Sequence, residues 1–110
     1  MNSKSFEEKR DELFEKIREK ENLDDDLKEE IKNIYGNRGE KALNVVKKGG
    51  IEKRGENWYV EGSEEEYEVV KKFCSCKDYV LNITTNKADV DMCYHALAKN
   101  IYKLINNISD

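Results

Sequence analysis

Three cysteines and one histidine, the only residues of either type in the chain, fall within 22 consecutive positions: Cys74-x-Cys76, sixteen intervening residues, then Cys93-x-His95. Two close pairs of nitrogen and sulfur donors are what a tetrahedral structural zinc site requires. The pattern therefore constrains the fold directly, because the chain at 74–76 and the chain at 93–95 must meet. In an extended chain residues i and i+2 point the same way, so Cys74 and Cys76 can both face one ion from the end of a strand. Within a helix the same spacing puts side chains on nearly opposite sides. Cys93 must therefore sit at the very start of a helix, with His95 reaching back from its first turn. A helix N-terminus also favours the metal-binding thiolate. Four protein donors leave no position open to water, so one Zn²⁺ bound here is structural rather than catalytic.

A plainer reading makes the cysteines three small core residues and His95 a surface side chain. Against it, Cys74 and Cys76 flank the polar Ser75 in a polar neighbourhood, and all four donors cluster. Redox chemistry or another metal is a further alternative. An odd number of cysteines disfavours a disulfide framework, and a Cys74–Cys76 bridge would close a strained ring.

A chain of 110 residues, 40% charged and 37% hydrophobic, suits one charge-rich globular unit with a modest core. A metal staple would matter to such a unit. The net charge of −4 resides in residues 1–36, where twelve acids face eight bases; acids and bases balance in the rest. That distribution is unfavourable for strong, non-specific nucleic-acid binding. No apolar run is long enough to cross a bilayer, and the first ten residues lack the apolar stretch of a signal peptide. The expectation is an intracellular, cytoplasmic protein with no membrane association.

Ser5 and Glu8 form a capping-box pattern ahead of Phe6, Leu13, Phe14 and Ile17, predicting a helix over 6–20. Asp24, Asp25 and Asp26 could be read as a metal site, but adjacent acids at a helix start more often cap it. Leu27, Ile31, Ile34 and Tyr35 then form an apolar stripe closed by Gly36. A short third helix is predicted over 39–48, stopped by Gly49-Gly50. Strands are predicted at 51–53, 58–60 and 67–73, the last alternating Tyr67, Val69 and Phe73 and running directly into Cys74. Residues 78–91 read as a loop. Asp91 reads as the N-cap of a final helix whose apolar face carries Leu97, Ile101, Leu104, Ile105 and Ile108. The fold class is α+β: N-terminal helices, a small antiparallel hairpin or three-stranded sheet, and a C-terminal helix clamped by the zinc site.

The stretch Cys74-Ser75-Cys76 followed by Cys93-Tyr94-His95-Ala96-Leu97-Ala98 resembles the SWIM zinc finger, CxC then CxH. Trp58-Tyr59-Val60-Glu61-Gly62 and Tyr67-Glu68-Val69 resemble that family's β-hairpin. Arg38-Gly39-Glu40-Lys41-Ala42-Leu43 with Gly49-Gly50-Ile51 resembles the helix and turn before the hairpin in archaeal members and in the SWIM subunit of Shu-type recombination complexes. The likeness covers residues 36–105 and implies a helical extension over 1–35 followed by a zinc-binding domain over 36–110. Lys77 departs from a frequent proline after CxC, and Tyr94 from a frequently basic CxH spacer.

The resemblance implies an interaction module. In the Shu-type subgroup the SWIM subunit pairs with a RecA-like paralog ATPase, which places the expectation in DNA recombination and repair. The acidic N-terminal helices and near-neutral remainder suit a protein partner better than bare DNA. The alternative is direct DNA binding. Its candidate contacts are Arg38, Lys41, Lys47, Lys48, Lys53 and Arg54, with Lys71, Lys72 and Lys77 nearer the metal donors; Trp58 and Tyr59 could stack on bases. Equally, such aromatics form core and such lysines a solvated face. Enzymatic activity is not expected. A zinc deaminase needs H-x-E with a downstream C-x-x-C, which is missing here, and His95 as a metal ligand leaves no histidine for acid–base work. Glu64-Glu65-Glu66 reads as a solvated turn, and no small-molecule substrate is implied.

Overall fold

The computed structural model describes residues 5–108. Helix α1 spans Phe6–Lys20 as the spacing predicts, with the Ser5 hydroxyl accepting from the Glu8 backbone N–H at 3.2 Å. Glu21 ends it with φ 54°. Helix α2 spans Asp25–Tyr35 and is capped by Asp24, whose carboxylate accepts from Leu27 N–H at 2.8 Å. The acidic triplet thus serves the helix start, where its charge meets the positive end of the dipole.

Helix α3 spans Asn37–Lys48, two residues earlier than the prediction. Gly36, at φ 62°, both ends α2 and opens α3, a conformation that a side chain would strain. Gly39 lies inside α3 where the two helices cross. A Cβ there would stand 2.7 Å from the Ile31 carbonyl oxygen, so the close crossing depends on its absence.

Four strands follow in an antiparallel meander of order β1-β2-β3-β4: β1 Ile51–Arg54, β2 Asn57–Glu61, β3 Glu66–Val70 and β4 Phe73–Cys74. The single strand expected over 67–73 is broken. Lys71 takes φ 55°, the chain reverses through Lys71-Lys72, and Cys74 comes back opposite Val69. Phe73 consequently faces away from the core that Val69 enters, and the expected alternation stops at Val69. The sheet gains a fourth strand for the same reason.

The expected loop over 78–91 also contains structure, a π-helical turn over Tyr79–Ile83. Helix α4 then spans Tyr94–Ile105; Ile108 lies beyond its end but still packs on the core. Asp91 is not the N-cap. Cys93 holds that position in extended backbone, its Sγ accepting from Ala96 N–H at 3.5 Å.

The core lies between α4 and one face of the sheet, and the helices of residues 6–48 complete it. Ala96, Leu97, Ala98 and Ile101 of α4 are fully buried against Trp58, Val60 and Val69 of the sheet. Leu13 and Ile17 of α1, Leu27 and Ile31 of α2, and Ala42 of α3 belong to the same cluster. No helix among the described residues is long and apolar enough to cross a membrane.

Candidate metal centre

Cys74 enters from β4, and Cys76 follows where the chain turns into the π-helical segment. The Cys76 sulfur accepts from Tyr79 N–H at 3.4 Å. Cys93 and His95 come from the first turn of α4. All four side chains are buried, and one donor atom from each lies within 4.8 Å of the other three. His95 Nδ1 faces the sulfurs, 3.9 Å from both Cys74 Sγ and Cys93 Sγ. Zinc–sulfur bonds near 2.3 Å and zinc–nitrogen bonds near 2.0 Å put tetrahedral donors about 3.5–3.8 Å apart. The cluster is therefore slightly wider than a closed tetrahedral shell, with all four donors already turned inward. It can hold one metal ion, and the three cysteines are free thiols.

Three adjacent thiols do not ionise together without a cation. Cys76 is the acidic member, its pKa pulled far down by hydrogen bonds from Cys74 and then Cys93. Cys74 is pushed up to about 11 chiefly by donating to Cys76, and Cys93 is pushed up by its hydrogen bonds to Cys74 and Cys76 and by burial. A central dication would remove this mutual repulsion and stabilise all three thiolates.

The imidazole is fixed on three sides. The Tyr67 and Tyr94 rings lie 4.7 Å and 3.9 Å from it, centroid to centroid. At its outer edge a Cβ on Gly62 would stand 3.0 Å from Nε2, so glycine lets the β2–β3 turn close over the ring. Nε2 is buried without a hydrogen-bond partner.

Each half of the cluster is anchored by an acid two residues outside it. Asp78 receives two hydrogen bonds from Arg38 of α3, both 2.8 Å, and one from Asn82 at 2.9 Å. The Arg38 bonds chiefly hold its carboxyl below the usual range. Asp91 receives Arg10 of α1 at 2.7 Å, the Tyr35 hydroxyl of α2 at 2.9 Å, and Lys72 at 3.0 Å. Burial opposes ionisation of Asp91, but the bonds from Arg10, Lys72 and Tyr35 outweigh it and its pKa falls. Burial, together with the Asp91 charge, raises the Tyr35 phenol. These anchors lay outside the sequence reading. Their one visible signal is the mirrored placement Cys76-Lys77-Asp78 and Asp91-Met92-Cys93.

The candidate nucleic-acid contacts are dispersed. Arg38 is committed to Asp78, and Arg54 to Glu52 and Glu66 while stacking on Tyr59 at 4.5 Å. Lys53 lies over the buried Trp58 ring at 5.6 Å, and Lys72 pairs with Asp91. Lys47 is exposed in the last turn of α3, and Lys71 is exposed at the β3–β4 turn. Only Lys41, Lys48 and Lys77 converge, lining a cleft of about 570 Å³ beside Tyr94 and His95, where Glu61 and Glu64 oppose them. Lys41 lies 5.6 Å from the Tyr94 ring centroid.

No family model matches the chain, and no solved structure matches it. It is similar to an uncharacterized protein of Archaeoglobus fulgidus, 31% identical over 70 residues covering 64% of this chain. The match spans 58% of that relative's length.

Proposed function

We propose that this chain is a non-catalytic, SWIM-type interaction module stapled by one structural zinc ion on Cys74, Cys76, Cys93 and His95. The buried, convergent four-donor cluster carries this reading. Three thiolates and one imidazole suit zinc among the common divalent ions, and such a set leaves no open coordination position for chemistry. The SWIM resemblance extends the reading to a protein adaptor in DNA recombination and repair, with a RecA-like ATPase as partner. Three observations favour a protein partner over direct DNA binding. Both candidate arginines are already paired with carboxylates. Trp58 is buried in the core and cannot stack on a base. The acid excess of residues 1–36 would repel a phosphate backbone.

Two measurements test this. Native mass spectrometry of the purified chain under reducing conditions is expected to show one bound zinc; a well-folded chain without a transition metal would refute the staple. Affinity purification from the native host, at two salt concentrations and with nuclease treatment, is expected to retain a RecA-like ATPase after digestion. Recovery only with intact nucleic acid, or binding with a steep salt slope, would replace the adaptor reading with direct DNA binding.

A further inference from the structure

Four large hydrophobic side chains stand exposed among the described residues, and all fall between positions 70 and 81: Val70 at 54%, Phe73 at 62%, Val80 at 52% and Leu81 at 57%. A monomer that scatters single apolar residues over its surface needs no explanation; one that gathers them in one short stretch does. Val70 and Phe73 are directly opposite each other across the β3–β4 pair. Their neighbours Val69 and Cys74 are buried toward α4, so Val70 and Phe73 point to the other face of the sheet. Tyr79 meets Phe73 edge-on at 5.9 Å and joins this face to the π-helical turn carrying Val80 and Leu81.

We propose that this apolar step, centred on Phe73, is the docking face for an acidic amphipathic segment of a protein partner, a proposal that rests on the adaptor reading above. The charge around it sets the partner's chemistry. Lys71 and Lys77 bracket Phe73 along the chain, and neither forms an ion pair among the described residues, whereas all four arginines do; Lys77 also borders the cleft lined by Glu61 and Glu64. Glu66 and Glu68 share the outer face of β3 with Val70 but lie farther from the turn. A segment that places apolar side chains on Phe73 and acids toward Lys71 satisfies both ends; the reverse orientation sets acid against Glu68. Nucleic acid fits less well. Three of the four exposed side chains are aliphatic and offer no ring for base stacking, and Glu68 repels phosphate.

The test uses the full-length, zinc-loaded, ¹⁵N-labelled chain and three probes: a synthetic amphipathic peptide of Leu, Phe, Asp and Glu, the same peptide with lysine in place of its acids, and oligothymidine. The acidic peptide is expected to shift the amides of Val70, Phe73 and Leu81 saturably, and its lysine counterpart to bind roughly tenfold more weakly or not at all. Phe73→Ser and Lys71→Glu, both surface changes, are each expected to weaken the acidic peptide roughly tenfold while metal content and Trp58 fluorescence stay unchanged. Shifts elsewhere, no binding, or tighter oligothymidine binding through Phe73 would overturn the proposal. So would sedimentation showing self-association lost in Phe73→Ser, which would make a second copy the occupant. The host purification separates the two levels of the argument. A partner retained equally by wild type and Phe73→Ser removes this docking face and leaves the adaptor; no partner on wild type removes the adaptor itself.

Discussion

The Cys74–Cys76 pair hangs from a two-residue edge strand and runs into a single π-helical turn, whereas the Cys93–His95 pair opens a twelve-residue helix that is the centre of the core. Cys93, Ala96, Leu97 and Ala98 are wholly buried, so the second pair is positioned by the packing of α4. The first pair has a short ladder to β3 and the Arg38–Asp78 bridge at its back. The contrast teaches that one half of the cluster is built into a long core helix while the other, though buried, rests on short local structure and would depend more on a bound ion.

Removing the metal should produce the largest effect and expose that asymmetry. A chelator, with metal loss confirmed by elemental analysis, is expected to abolish amide protection across residues 73–86 while α4 keeps part of its own. Because site formation and folding are linked, the loss should be on the order of 5 kcal/mol or more. Uniform loss of protection would show that the two halves are equally dependent on the ion, and unchanged protection would refute the staple. Next in size is Asp91→Ala, which leaves Arg10 and the Tyr35 hydroxyl without their shared acceptor; urea unfolding should show about 2–4 kcal/mol of destabilisation. Arg38→Ala breaks the more exposed bridge behind Cys76 and should cost about 1–2 kcal/mol, with faster metal loss to a competing chelator. If it costs more than Asp91→Ala, the order of the two anchors is reversed. Smallest is Lys72→Ala. Its side chain is 48% exposed, so losing the Asp91 contact should cost below about 1 kcal/mol by the same urea measurement.

Local chemistry was legible in the sequence and long-range chemistry was not. Ser5, Asp24 and Gly36 do what their residue types do at helix ends, and the donor spacing alone placed Cys93 at the start of α4. Asp91 looked like a cap for the same local reason. It is instead committed to Arg10 and Tyr35, 81 and 56 residues away, and no periodicity records such partners. The break at Lys71 leaves no mark in the sequence because Tyr67, Val69 and Phe73 fit a strand pattern, while a two-residue strand is too short to show a period of its own. The π-helical turn has no readable period because Val80 and Leu81 point outward and Ile83 alone of its residues is buried.

Gly62 bears on how a bound ion would leave. The β2–β3 turn closes over the outer edge of the imidazole and the Tyr67 and Tyr94 rings pack against it, so the His95 ring has little room to swing aside. Cys74 and Cys76, hung from the short edge strand, would be the donors with more room to give way around a bound ion.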